Sequence, residues 1–108
     1  MKKKIAICVR RRIYMLPPEQ IIYMEKDMRK IRVYMGMRTV EFYGQFKDII
    51  PELDRRFMCC HRSYLINMDK IVSMVSGRIL LENDYSIILG RDTYCRAVKM
   101  FNEYIKEM

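Results

Sequence analysis

Apolar residues in this chain recur mostly at every second position, in short runs rich in isoleucine, valine and tyrosine that are cut by turn-forming residues. A run such as "KIRVYM" (30–35) gathers its apolar side chains on one side only if it is extended, because successive side chains of a strand point to opposite faces. "IIYMEK" and "KIRVYM" read as two strands around the polar tip "EKDMRK", and Gly36 opens the connection to "RTVEFYG". Further on, "KIVSMV", "RILLE" and "YSIILG", separated by turns at Ser76-Gly77 and Asn83-Asp84, read as consecutive hairpins. The opening "KIAICVRRRIYML" reads as a first strand ended by "PPEQ". Two segments depart from this rhythm. Phe46, Ile49, Ile50 and Leu53 have helical spacing, which Pro51 must shorten; near the end Tyr94, Ala97, Val98, Phe101 and Ile105 form one helical stripe behind Asp92 as N-cap. The pattern predicts a mainly β, antiparallel fold with short helices, without internal repeats.

With 108 residues, 51 % of them hydrophobic, the chain has material for one core and is expected to form a single domain, 1–108. No apolar run approaches the roughly 20 residues of a membrane span, and basic residues return at 10 to 12 where a signal peptide needs an apolar stretch. The expectation is a soluble, cytoplasmic protein without membrane contact. Cys8, Cys59, Cys60 and Cys95 fit neither a paired zinc spacing nor a secreted disulfide framework, so no metal or cofactor is expected and the thiols should be reduced. The eleven methionines are scattered, as gap-fillers in a small core would be. Net charge is +8, but six basic residues and no acid fall within the first twelve positions, so the bulk charge says little about the rest. Lys2 to Lys4 and Arg10 to Arg12 are expected to add nonspecific attraction to phosphate, the three arginines alternating faces along an extended strand.

The stretch "FMCCHRSYLIN" (57–67) raises three chemistries: a catalytic thiol, a metal site, or a polar strand tip reaching outward. Neighbours on a strand point to opposite faces, so Cys60 and His61 are poorly placed as a nucleophile and base, and no second histidine or orienting motif is visible. No catalytic residue is assigned. Cys60 is expected to face the core, with Tyr64, Leu65 and Ile66, and Asn67 to cap the following turn. His61 and Ser63 are expected to bond backbone or phosphate and hold Arg62 at the surface. A redox thiol at Cys60 remains a minority candidate, since His61 and Arg62 would make its surroundings electropositive.

The order "IIYMEKDMRKIRVYM", "VEFYGQFKDIIPEL", "FMCCHRSYLINMDKI" and "ILLENDYSIILGRDTY" resembles the LytTR DNA-binding domain, the output module of many bacterial response regulators. The densest part is F-x-x-C-H-R-S-Y-L-I-N, with I-x-Y-x-E upstream and Gly90-Arg91 downstream. The resemblance implies an elongated fold of antiparallel sheets whose loops enter successive major grooves, and a pair of protomers bending DNA at tandem repeats. It also implies the contact positions: the tip Lys26 to Arg32, with Lys26, Arg29, Lys30 and Arg32; Arg62, after His61; and Arg91, after the last strand, while His61 and Ser63 join the DNA-binding candidates as the residues that hold Arg62. Arginine's fork matches O6 and N7 of guanine, which makes Arg62 and Arg91 the base-reading candidates.

The function these readings support is sequence-specific binding of double-stranded DNA by a non-enzymatic bacterial transcriptional regulator of the two-component type. The alternative is a β module that binds nucleic acid without sequence preference or docks a protein. Paired aromatics of the kind that stack single strands are few, which disfavours RNA. The resemblance also implies a receiver domain ahead of this module, as in most relatives. None fits in this chain, so the expectation is an excised output domain or a stand-alone regulator.

Overall fold

The computed structural model describes residues 4–108. Among the described residues, ten strands and two α-helices follow one another along the chain. Strands β1 (Ile5–Val9) and β2 (Arg12–Leu16) form a separate antiparallel hairpin. A five-stranded antiparallel sheet, in the order β5-β4-β3-β7-β6, is built from β3 (Tyr23–Asp27), β4 (Lys30–Met35), β5 (Arg38–Tyr43), β6 (Phe57–His61) and β7 (Tyr64–Asn67). A third sheet pairs β8 (Ile71–Val75), β9 (Arg78–Leu81) and β10 (Ser86–Ile88). Helix α1 (Phe46–Ile49) is short, and α2 (Arg91–Lys106) closes the chain. The molecule measures 41 by 34 by 25 Å.

The period-two pattern works on both faces of the central sheet. Met24, Ile31, Val33, Met35, Phe42 and Leu65 face a core completed by Ile5, Ile7 and Leu16 of the first hairpin and by Phe46 and Ile49 of α1. Tyr23, Met58, Cys60 and Ile66 face a second core completed by Ile79, Leu81 and Ile87 of the third sheet and by Ala97 of α2. Alternate residues of β3 and β7 thus serve different cores, so a one-residue slip would exchange both. Asn67, fully buried, ties the layers together: its Nδ2 donates to the Ile21 carbonyl at 2.8 Å, and its Oδ1 caps the next turn by accepting from Asp69 N–H at 2.9 Å.

Four local expectations are corrected. "KIAICVRRRIYML" is a hairpin, because Arg10 and Arg11 adopt φ of +50° and +67° and turn the chain where no glycine or asparagine announces it. Pro51 divides the first helical segment into one α-helical turn and a 3-10 turn (Ile50–Glu52), and this swings Ile50 into solvent. The N-cap of α2 is Gly90 rather than Asp92, so Arg91 is the first helical residue. On α2, Tyr104 takes the inward place expected of Ile105, which is exposed.

Candidate nucleic-acid interface

Four turns and the start of α2 meet at one end of the molecule. Asp27 pairs with Lys30 across the tip of the β3–β4 hairpin, leaving Met28 and Arg29 as the turn, with Met28 at φ +59°. This tip is braced on both sides. Lys26 N–H donates to the Ser63 carbonyl at 2.8 Å, and Gly44 N–H donates to the Arg29 carbonyl at 2.9 Å. The first bond sets the β6–β7 turn, Arg62-Ser63, beside the β3–β4 tip.

The β6–β7 turn has its own support. Between Met58 and His61 the register shifts by one residue, so Cys59 and Cys60 together oppose Leu65 as a β-bulge on the edge strand β6. Cys60 enters the core and Cys59 faces outward. His61 Nδ1 accepts from Ser63 N–H at 3.0 Å, which leaves Nε2 as the donor of the neutral ring, and the ring packs against Tyr64 with centroids 5.4 Å apart. Arg62, between these partners, is exposed and has no carboxylate partner among the described residues.

Helix α2 runs antiparallel to β6. Tyr104 Oη donates to Asp69 at 2.6 Å and Arg55 pairs with Glu107 near the start of β6, whereas Arg96 reaches the Cys60 carbonyl at 3.4 Å near its end. Arg91, five residues earlier and so about 7.5 Å further along the axis, therefore points toward the end that carries Arg62. The β8–β9 turn joins it there: Leu89 N–H donates to the Gly77 carbonyl at 2.9 Å. Arg78 follows that turn and lies opposite Ile88, exposed. On the other flank the β1–β2 turn places the Arg10 guanidinium 4.6 Å from the Tyr43 ring centre, and Tyr43 pairs with Lys30. The result is a row of cations from Arg10, Arg11 and Arg12 through Lys26, Arg29 and Lys30 to Arg62, Arg96 and Arg91. Polyanions bind such a surface.

Residues 11–104 match the family described as the LytTr DNA-binding domain. The chain belongs to the LytTr family. Over 60 residues it is 35 % identical to accessory gene regulator protein A of Staphylococcus epidermidis and 33 % identical to the protein of that name from Staphylococcus aureus. Each of these matches covers 54 % of this chain and 25 % of the relative, so the chain spans about a quarter of those proteins' length. The LytTr DNA-binding domain of a methyl-accepting/DNA response regulator from Bacillus cereus shares the fold, with a TM-score of 0.72 and 16 % identity, over 93 % of this chain and 97 % of that domain.

In this LytTr domain most of the expected contact residues come together, with one exception and two additions. Arg32 is not on the tip: it lies inside β4, where Nε binds Glu41 at 2.8 Å and the two terminal nitrogens lie 3.7 and 3.8 Å from Glu25 and Asp27. Glu25 and Glu41 sit opposite it on the flanking strands and Asp27 two residues further along β3, and the guanidinium holds the Glu41 carboxyl below its usual range. Lys30 is shared with Glu41 at 3.7 Å, which leaves Lys26 and Arg29 as the unpaired cations of the tip among the described residues. Cys60, the redox candidate, lies in the core. Electropositive surroundings would lower its thiol pKa, but the side chain is 5 % exposed and burial pushes the pKa up. The additions are Arg78 and Arg96, which no motif singles out; only the packing of α2 and the third sheet brings them to this end. Lys2 and Lys3 lie outside the described residues. No helix among the described residues is long and apolar enough to cross a membrane.

Proposed function

We propose that this domain binds double-stranded DNA sequence-specifically as the output module of a bacterial transcriptional regulator. The observation that carries the reading is the 2.8 Å bond from Lys26 N–H to the Ser63 carbonyl, which fixes two cationic turns side by side on one rigid sheet. Arg62, Arg91 and the Lys26–Arg29 tip read base edges in successive major grooves; Ser63, Lys30 and Arg10 to Arg12 hold phosphates. Arg32 braces the tip from within its carboxylates. Two protomers occupy adjacent repeats and bend the duplex, so that DNA deformability adds to the sequence preference.

The test is selection from a random duplex library, followed by titration of the winner and a scrambled duplex at two salt concentrations. A repeated short motif bound at least ~10³-fold more tightly than the scramble is the expected result. Salt-sensitive binding without enrichment would reduce the surface to a generic polyanion site and favour the nonspecific alternative.

A further inference from the structure

Met28 contributes nothing to either core. Its side chain is 87 % exposed at the summit of the β3–β4 hairpin, and its φ of +59° is one that glycine or asparagine adopts more readily. Exposure alone does not single it out, since Met37 is 99 % exposed. Met37, however, occupies the β4–β5 turn at the opposite end of the same strand, away from the cationic row. Met28 stands inside that row, between Lys26 on one side and Arg29 and Lys30 on the other. The tip that carries it is held by the bonds from Lys26 N–H to Ser63 and from Gly44 N–H to Arg29. An apolar side chain is thus presented on a braced platform at the place where the domain meets its partner.

We propose that Met28 recognises thymine, its thioether chain covering a 5-methyl group in the major groove between the bases that Lys26 and Arg29 face. This rests on the double-stranded DNA reading above and adds a base identity to it. Methionine has no donor and only a weak acceptor, so it cannot read the hydrogen-bonding edges of guanine, cytosine or adenine. The thymine methyl is the one apolar group on the major-groove edge of the base pairs. A flexible, polarizable chain adapts to such a contact without demanding a fixed angle.

The experiment uses the full chain, the winning duplex of the selection, and copies of that duplex in which each thymine in turn is replaced by uracil. Wild type should bind one such copy about fourfold more weakly, the equivalent of one methyl group buried at about 0.8 kcal/mol. Met28→Gly, which suits the positive φ, should lose a similar factor on the thymine duplex and be indifferent to uracil; Met28→Leu should keep the thymine preference. The inference is overturned if wild type ignores every uracil substitution, or if Met28→Gly remains as sensitive to uracil as wild type. A wild type that binds winner and scramble alike would instead remove the sequence-specific reading itself, and this inference with it.

Discussion

Lys26 donates its backbone N–H to the carbonyl of Ser63 across 2.8 Å, although three strands and a helix separate the two residues along the chain. The bond prolongs the β3–β7 ladder one step beyond the Glu25–Tyr64 pair, out to the two turns. It gives the exposed cations on these turns a common rigid base, so that movement of one turn cannot compensate for a side chain removed from the other.

Arg62→Ala and Arg91→Ala should each weaken binding by roughly 1–3 kcal/mol on the selected duplex and little on random DNA. Equal losses on both duplexes, in a binding titration at fixed salt, would make these side chains phosphate clamps.

The β1–β2 turn should behave differently. Replacing Arg11 and Arg12 by alanine is expected to weaken selected and random duplexes alike and to reduce the slope of log K against log salt by about 2. A loss confined to the selected duplex would mean that this turn reads bases.

Asn67→Ala should destabilise the fold by about 2–4 kcal/mol, because it strands the buried Ile21 carbonyl and the Asp69 N–H at once. Urea unfolding measures this. A change below about 0.5 kcal/mol would show that water replaces the amide.

Cys60 should resist iodoacetamide in the native protein near neutral pH, since burial both covers the thiol and raises its pKa, while the exposed Cys8 and Cys95 are modified. The thiolate is the reacting form, so labelling of Cys60 should stay slow until the pH is raised well above the ordinary thiol range. Mass spectrometry after a timed pulse reports each cysteine; modification of Cys60 as fast as Cys8 would restore the redox candidate.

Much of this architecture is legible in the sequence. The alternation of β4 predicts its buried face at Ile31, Val33 and Met35, and Ser76-Gly77 predicts a tight hairpin, found with both residues at positive φ. Asn67 reads as a cap and Cys60 as a core residue, and both places are observed. The Arg10-Arg11 turn is not legible: its residues are poor left-handed formers, and Tyr43, which holds Arg10, is remote in the chain.

The sequence by itself determined the mainly β, antiparallel character, the β3–β4 and β8–β9 hairpins and the family, because side-chain alternation and turn chemistry are local properties. Tertiary structure decided which cations are available to a partner. Arg32 is withdrawn by carboxylates on the two strands that flank it, whereas Arg78 and Arg96 reach the cationic end of the molecule through the packing of α2 and the third sheet. Charge availability depends on neighbours distant in sequence, and those are assigned only when the strands have found their register.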